Sequence, residues 1–92
     1  MLFMVQCLDK PESLALRQAT RPAHLDYVKA RIDHILIAGA ILAEDNETMI
    51  GSGYVLTFED REQVEAFFAD DPYVKAGLYQ SITIKPYRKA LP

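Results

Sequence analysis

Two short segments hold the side chains best suited to chemistry in this chain of 92 residues. The segment "RPAHLDYV" contains His24, and the segment "ADDPYV" contains Asp70 and Asp71. A carboxylate that accepts a hydrogen bond from one imidazole nitrogen fixes the tautomer, so that the other nitrogen can take up a proton. If the fold brings the two segments together, the sequence predicts general acid–base chemistry. If it does not, His24 is expected to be a solvated residue or a capping partner at the start of the helix.

Several other side chains are candidates for contacts with a substrate. Arg17 and Arg21 precede His24 and carry the charge that attracts an anionic molecule, although a pair of solvated arginines fits the pattern equally. Ser52, between Gly51 and Gly53, offers a hydroxyl group, and the same triplet is also common loop chemistry. Tyr73 and Tyr79 have the size to line a pocket or to fill a core.

The remaining histidine and the cysteine fit structural roles. His34 falls where the first helix is expected to end, and a basic side chain there favours the helix dipole. Cys7 lies in the strand-like segment "LFMVQCL" and is expected in the core. With two histidines and one cysteine, the chain shows no metal-site spacing and no internal disulfide, so we expect no metal and a cytoplasmic location.

Charge and length restrict the classes of partner. The net charge is −3 with acidic and basic residues interspersed, and no basic block indicates binding to nucleic acid or to an anionic membrane. No apolar segment has the length of a membrane span, and the N-terminus lacks a signal-peptide pattern. The length predicts one compact domain, residues 1–92, with a core small enough that pairing with a second copy would stabilise it.

The hydrophobic pattern predicts the elements that must position these side chains. Leu25, Val28 and Ile32 follow helical spacing, and because proline is tolerated in the first turn of a helix but not in its interior, this helix is expected to begin within about two residues of Pro22. The segment "LALRQA" before it predicts a short helical turn. The full set of predictions is strands at 2–8, 34–42, 49–58 and 78–87, and helices at about 22–33 and within 59–71.

The order β-α-β-β-α-β most simply gives a ferredoxin-like α+β fold, a four-stranded antiparallel sheet with two helices on one face. Following the strand directions, the start of the first helix, the hairpin end with Ser52 and the exit of the second helix meet at one end of the sheet. His24 and the carboxylates of 70–71 are therefore expected to be close. Both faces of strands one and three are partly apolar, which predicts that the uncovered face packs against a second copy as a homodimer.

Four segments, "RPAHLDYV", Gly51-Ser52, "DPYVKAGLY" and "IKPYRK", resemble the YCII-related (YciI-like) family of small bacterial proteins over nearly the whole chain. The resemblance implies a ferredoxin-like fold that pairs as a dimeric α/β barrel, with a histidine–aspartate dyad in a cleft. The family's R-P-x-H histidine falls on His24, and its D-P-Y aspartate falls on Asp71. Members commonly carry Gly-Pro after strand two where this chain has Gly39-Ala40, so the resemblance does not transfer a substrate.

The family resemblance implies a cofactor-independent lyase or isomerase that acts on a small cyclic or phenolic molecule, similar to a dehydrochlorinase of chlorinated hydroxyhydroquinone. His24 and Asp71 would be catalytic, and the substrate-binding candidates are Arg17, Arg21, Ser52 and Tyr79. The alternative is a non-catalytic dimeric module that binds a small ligand in the same cleft. The enzyme requires His24 and Asp71 within hydrogen-bond reach beside a cavity, whereas the module requires only the cavity.

Overall fold

The computed structural model describes all residues, 1–92, as one layer of helices on one sheet. The elements are, in order, β1 (Leu2–Asp9), α1 (Leu14–Lys29), β2 (Ile35–Leu42), β3 (Met49–Thr57), α2 (Arg61–Ala69), α3 (Pro72–Lys75) and β4 (Tyr79–Tyr87). A single 3₁₀ turn, Ile32–His34, joins α1 to β2. None of the helices combines the length and apolar character that crossing a membrane requires.

The four strands form one antiparallel sheet in the order β2-β3-β1-β4. The central strand β1 pairs with β3 on one side and β4 on the other, so that Val5 lies opposite both Tyr54 and Ile84. Pro86, which lacks a backbone N–H, is placed in β4 at the edge of the sheet, where strands tolerate proline. The predicted ferredoxin-like α+β fold is confirmed.

Alternation along the strands separates a buried face from an exposed one. On the helix side, Phe3 and Val5 of β1 pack in one cluster with Val64 and Phe67 of α2, which are all almost fully buried. The opposite face carries exposed apolar side chains, and Ile37 keeps 65% of its surface accessible. The helices therefore cover one face of the sheet and leave the other open.

The start of the first helix differs from the sequence prediction. The prediction that it begins near Pro22 and runs to about residue 33 is wrong, because α1 extends from Leu14 to Lys29 with Pro22 inside it. Pro22 has no N–H for the carbonyl of Gln18, but both residues are exposed, so water can hydrogen-bond to that carbonyl. Arg17 and His24 are thus two turns apart on one helix and share a face.

Candidate active site

The side chains of His24 and Asp71, forty-seven positions apart in the sequence, meet in the interior. Nδ1 of His24 lies 2.7 Å from Oδ1 of Asp71; Asp71 is fully buried, and His24 is 7% exposed. Asp71 is also the N-cap of α3, where its Oδ1 accepts a hydrogen bond of 3.0 Å from the backbone N–H of Tyr73. With Pro72 at the first position of α3, the carboxylate is held on a stiff backbone.

The imidazole ring of His24 is fixed by more than this one contact. The ring of Tyr73 stacks on it at a centroid distance of 3.8 Å and an interplanar angle of 17°. The other nitrogen, Nε2, lies 3.5 Å from the hydroxyl oxygen of Tyr54. Because Nδ1 faces a carboxylate, which can only accept when ionised, Nδ1 carries the proton and Nε2 of the neutral ring is the free base.

His24 lines a cavity of about 160 Å³ between α1 and the β2–β3 half of the sheet. The cavity walls include Arg17, Arg21, Ser52 and Tyr54, and β2 contributes the small residues from Ala38 to Ala40. The hydroxyl oxygen of Tyr54, another residue of the wall, lies 3.5 Å from Nε2 of His24. The arrangement places a candidate base beside a space of the size of a small ring.

Arg17 is buried and held by an acidic partner that the sequence analysis did not single out. Its Nε and Nη2 atoms donate to the two carboxylate oxygens of Asp9 over 2.8 and 3.1 Å. Nη2 also donates to Oγ of Ser52 over 2.7 Å. Burial acts to lower the pKa of Arg17, but the hydrogen bonds and charge of Asp9 outweigh it and leave the pKa raised, so the guanidinium stays charged.

The other candidate residues differ in their relation to the cavity. Arg21 is exposed and contributes to the cavity wall. Tyr79 is not part of the wall; its hydroxyl donates to Oγ of Ser52 over 2.7 Å and reaches the cavity only through that residue. Asp70 is exposed, and its carboxylate lies 3.9 Å from the Lys75 ammonium, so Asp71 is the carboxylate in contact with His24.

Buried hydroxyl and thiol groups in the cavity wall and behind it are held in their neutral forms. Burial and the charge of Asp71 raise the pKa of Tyr54, and burial together with the neighbouring Tyr54 hydroxyl raises the pKa of Tyr79. Burial, assisted by Asp71, also raises the pKa of Cys7 from 9.0 to about 12. The site can therefore present uncharged O–H donors to a ligand across the physiological pH range.

Tyr54 and Asp9 were missed by the reasoning from sequence. Tyr54 follows Ser52 by two positions in β3, so the alternation of strand side chains puts both on the same face, and this signal was available. Asp9 lies in a segment whose sequence is typical of a turn. Its contact with Arg17 depends on a single helix that continues through Pro22. The structure contains no group of three or more His, Cys, Asp or Glu side chains arranged to hold a metal ion.

Comparison with known protein families matches residues 1–88 to the YCII-related domain. The chain belongs to the YCII-related family. Within known members, the protein YciI of Escherichia coli O6:H1 is 35% identical over 96 residues, which cover 97% of this chain and 98% of YciI. An uncharacterized protein of Haemophilus influenzae is 32% identical with the same coverage. The family resemblance drawn from the sequence motifs is confirmed.

One solved structure with the same architecture is that of an enzyme whose reaction is named. The 5-chloro-2-hydroxyhydroquinone dehydrochlorinase TftG from Burkholderia phenoliruptrix AC1100, in complex with 2,5-dihydroxybenzoquinone, is 29% identical to this YCII-related chain. The two superimpose with a TM-score of 0.90 over 98% of this chain and 96% of TftG. An antibiotic biosynthesis monooxygenase, 16% identical with a TM-score of 0.54, shares the fold alone.

Proposed function

We propose that this YCII-related protein is a cofactor-independent lyase or isomerase that uses His24 as a general base on a small cyclic or phenolic molecule. The observation that carries the proposal is the 2.7 Å contact between Nδ1 of His24 and Oδ1 of Asp71 beside a cavity. The similarity to TftG, a dehydrochlorinase of a hydroxyhydroquinone, supports this class of reaction and substrate.

In the proposed mechanism, Asp71 orients the imidazole and stabilises the charge that His24 gains. The carboxylate accepts a hydrogen bond from the Nδ1–H group, which leaves the Nε2 lone pair directed at the ligand. When Nε2 removes a proton from the substrate, the imidazolium forms next to a buried carboxylate, and the attraction between them is strong in a site of low dielectric. Tyr73 keeps the ring in place through stacking and fixes Asp71 through its backbone N–H.

The size of the cavity supports a substrate with a single ring. A buried apolar cavity of about 150 Å³ accommodates benzene, and the cavity next to His24 measures about 160 Å³. Its walls are mostly apolar, with polar groups confined to the arginines, His24, Ser52 and tyrosine hydroxyls. Such a site binds the ring by contact area and selects its substituents by a few hydrogen bonds.

The proposed enzyme is a homodimer that pairs through the face of the sheet opposite the helices. That face exposes Met4, Leu8, Ile37 and Tyr87, and a shallow depression of about 500 Å³ lies across it. An apolar sheet surface of this kind is costly in water and is covered by a second sheet in a stable assembly. We also propose that the protein works in the reducing cytoplasm, since its one thiol is free and buried.

The test uses chloride release from 5-chloro-2-hydroxyhydroquinone and, separately, binding of 2,5-dihydroxybenzoquinone measured by calorimetry. His24→Ala should abolish turnover while the quinone still binds, because the base is lost and the cavity is retained. Asp71→Asn should slow turnover strongly with little change in binding, since the amide favours the wrong tautomer. Asp70→Asn is the matched control and should have no effect on either measurement.

Two results would contradict the proposal. If the native protein binds the quinone but releases no chloride, and screening of related halogenated and keto-enol rings finds no turnover either, the protein is a ligand-binding module. If His24→Ala retains full activity on any substrate of the native protein, the reaction does not use this base.

A further inference from the structure

The hydroxyl group of Ser52 has an unusual set of hydrogen bonds. Its oxygen accepts one from Nη2 of Arg17 and one from the hydroxyl of Tyr79, each over 2.7 Å. A serine hydroxyl has two acceptor positions and one proton, so with both acceptor positions occupied the proton is free to reach the neighbouring Tyr54 hydroxyl or a ligand. Donation from a charged guanidinium, itself paired with Asp9, polarises the Ser52 O–H bond and makes it a stronger donor.

The hydroxyl group of Tyr54 is also left with an incomplete set of contacts. Tyr54 is 3% exposed, and its hydroxyl oxygen lies 3.5 Å from Nε2 of His24, longer than a well-formed O–H···N bond, with the hydroxyls of Ser52 and Tyr79 as its other polar neighbours. In the same molecule, the hydroxyl of Tyr27 donates to the Phe67 carbonyl over 2.7 Å. A buried donor without a short hydrogen bond is destabilising unless a ligand or water accepts from it.

The sheet places these two donors side by side and leaves space over them. Ser52 and Tyr54 are two positions apart in β3 and point to the same face. Their neighbours in β2 are Ala40, opposite Ser52, and Ala38, opposite Tyr54. Alanine side chains fill little volume, and both hydroxyl-bearing residues line the same cavity as His24.

We propose that Ser52 and Tyr54 form an oxyanion-binding pair, which holds the substrate oxygen that becomes negative when His24 removes the neighbouring proton. This inference rests on the proposed function of His24 and narrows its substrate class to rings that carry a hydroxyl or keto oxygen next to the reacting position. The site binds the enolate or phenolate form through uncharged donors. Arg17 contributes by polarising Ser52 through Nη2, and Asp9 holds that guanidinium in place through Nε and Nη2.

The electrons and protons balance in this assignment. The C–H bond next to the carbonyl of a keto ring, or the O–H bond of its enol tautomer, breaks, its proton goes to Nε2 of His24, and the electron pair forms an enolate whose oxygen accepts hydrogen bonds from Ser52 and Tyr54. In a lyase, the carbonyl re-forms and a chloride on the next carbon leaves with its bonding pair, giving a new double bond. In an isomerase, the proton returns from His24 to another carbon of the enolate. Neither route consumes an oxidant or a reductant.

Binding of 4-nitrophenol to the full-length protein tests this inference without an enzymatic assay. The phenolate absorbs in the visible range, so a titration with pH gives both its affinity and the pKa of the bound probe. The uncharged methyl ether 4-nitroanisole serves as the comparison ligand. Tyr54→Phe and Ser52→Ala each remove one donor, and Tyr27→Phe and Ser81→Ala are matched controls that lie outside the cavity.

The native protein should bind the phenolate in preference to the phenol, and so lower the pKa of the bound probe below that of free 4-nitrophenol. Tyr54→Phe and Ser52→Ala should each weaken phenolate binding by about tenfold or more, as expected for a hydrogen bond to a charged group, and leave 4-nitroanisole within about twofold. The two controls should resemble the native protein.

Equal losses for phenolate and anisole, no loss for either, or no phenolate binding at millimolar concentration would overturn the oxyanion pair. These outcomes differ from a failure of the proposed function. If turnover depends on His24 but Tyr54→Phe and Ser52→Ala leave the phenolate affinity unchanged, only the oxyanion pair is rejected. Phenolate affinity that depends on both hydroxyls, in a protein without turnover, would reject only the catalytic role of His24.

Discussion

His24 and His34 resemble each other in their immediate contacts and differ in their surroundings. Each ring stacks on an aromatic side chain, His24 on Tyr73 at 3.8 Å and His34 on Phe58 at 4.3 Å. Each also places Nδ1 on an oxygen atom, which is the Asp71 carboxylate for His24 and the backbone carbonyl of Thr57, 3.0 Å away, for His34. His34 is exposed, whereas His24 is buried beside a cavity.

The difference teaches which features distinguish a candidate base from a structural histidine. Stacking and an Nδ1 hydrogen bond fix the orientation and the tautomer of a ring, and both histidines have these. A carboxylate partner also stabilises the positive ring, which a neutral carbonyl does far less well, and burial strengthens that interaction. His24 therefore differs from His34 in three respects. Its partner is charged, its ring is shielded from water, and it lines a cavity.

The largest expected contrast is in turnover of 5-chloro-2-hydroxyhydroquinone. Replacing His24 by Gln should reduce kcat by about 10²- to 10⁴-fold, the usual contribution of a general base. The same replacement at His34 should leave kcat within about twofold, because its ring orients no reacting group. Steady-state kinetics of both variants give the comparison, and a similar loss at both positions would show that the two sites do not differ as described.

The stability of the fold should show the next largest contrast. Asp71→Ala leaves the buried His24 Nδ1 and the Tyr73 N–H without a partner and removes the cap of α3, so the free energy of unfolding should fall by about 3 kcal/mol. Loss of the exposed His34 ring in His34→Ala should cost about 1 kcal/mol or less. Urea denaturation followed by circular dichroism measures both values; a loss below that of His34→Ala would contradict the importance of the buried pair.

Burial also predicts a pH effect on stability at Cys7, which lies opposite the cavity residue Ser52 in the sheet. Because burial raises the pKa of Cys7 from 9.0 to about 12, the folded state keeps a proton that the unfolded state loses. The contribution of Cys7 to stability is present below pH 9 and declines by about 1.4 kcal/mol per pH unit above it. Denaturation between pH 8 and pH 11 should show a steeper decline for the native protein than for Cys7→Ala, and parallel slopes would contradict this.

The smallest effect is a change of tautomer without a change of fold. Both oxygen partners accept, so the neutral rings of His24 and His34 should carry the proton on Nδ1 in the native protein. In Asp71→Asn, the amide group can present its N–H to Nδ1, which moves the proton of His24 to Nε2 and leaves His34 unchanged. Long-range ¹H–¹⁵N correlation spectra distinguish the tautomers. A native His24 protonated on Nε2 would remove the free base from the proposed mechanism.

The fold and the meeting of His24 with the carboxylates of 70–71 were accessible from the sequence because both follow from element order, whereas the choice of Asp71 came from the resemblance to the family motif. Strand alternation in "LFMVQCL" and the helical spacing of Val64, Phe67 and Phe68 are local signals, and the topology then leaves few arrangements. The start of α1 was not accessible by the same route, since the cost of Pro22 depends on whether the Gln18 carbonyl meets water. That one boundary assigned Arg17 to a separate helical turn instead of to the helix that carries His24.

The hydrogen bonds of the cavity wall were less predictable than its residues. Arg17 and Ser52 were identified as candidates, but their contact joins positions thirty-five residues apart and depends on the depth at which α1 crosses the sheet. The stacking of Tyr73 on His24 likewise depends on how α3 packs against α1. Packing of this kind is decided by side-chain shape across elements, which no local pattern encodes.

The burial of Cys7 affects the chemical durability of the protein. Hydroquinones oxidise in air to quinones, and quinones are electrophiles that alkylate exposed thiolates. The only thiol of this chain, that of Cys7, is fully buried and remains protonated at physiological pH. It is therefore protected from alkylation by quinones. If the protein has the proposed function, it can therefore tolerate the quinones that form from its proposed substrates.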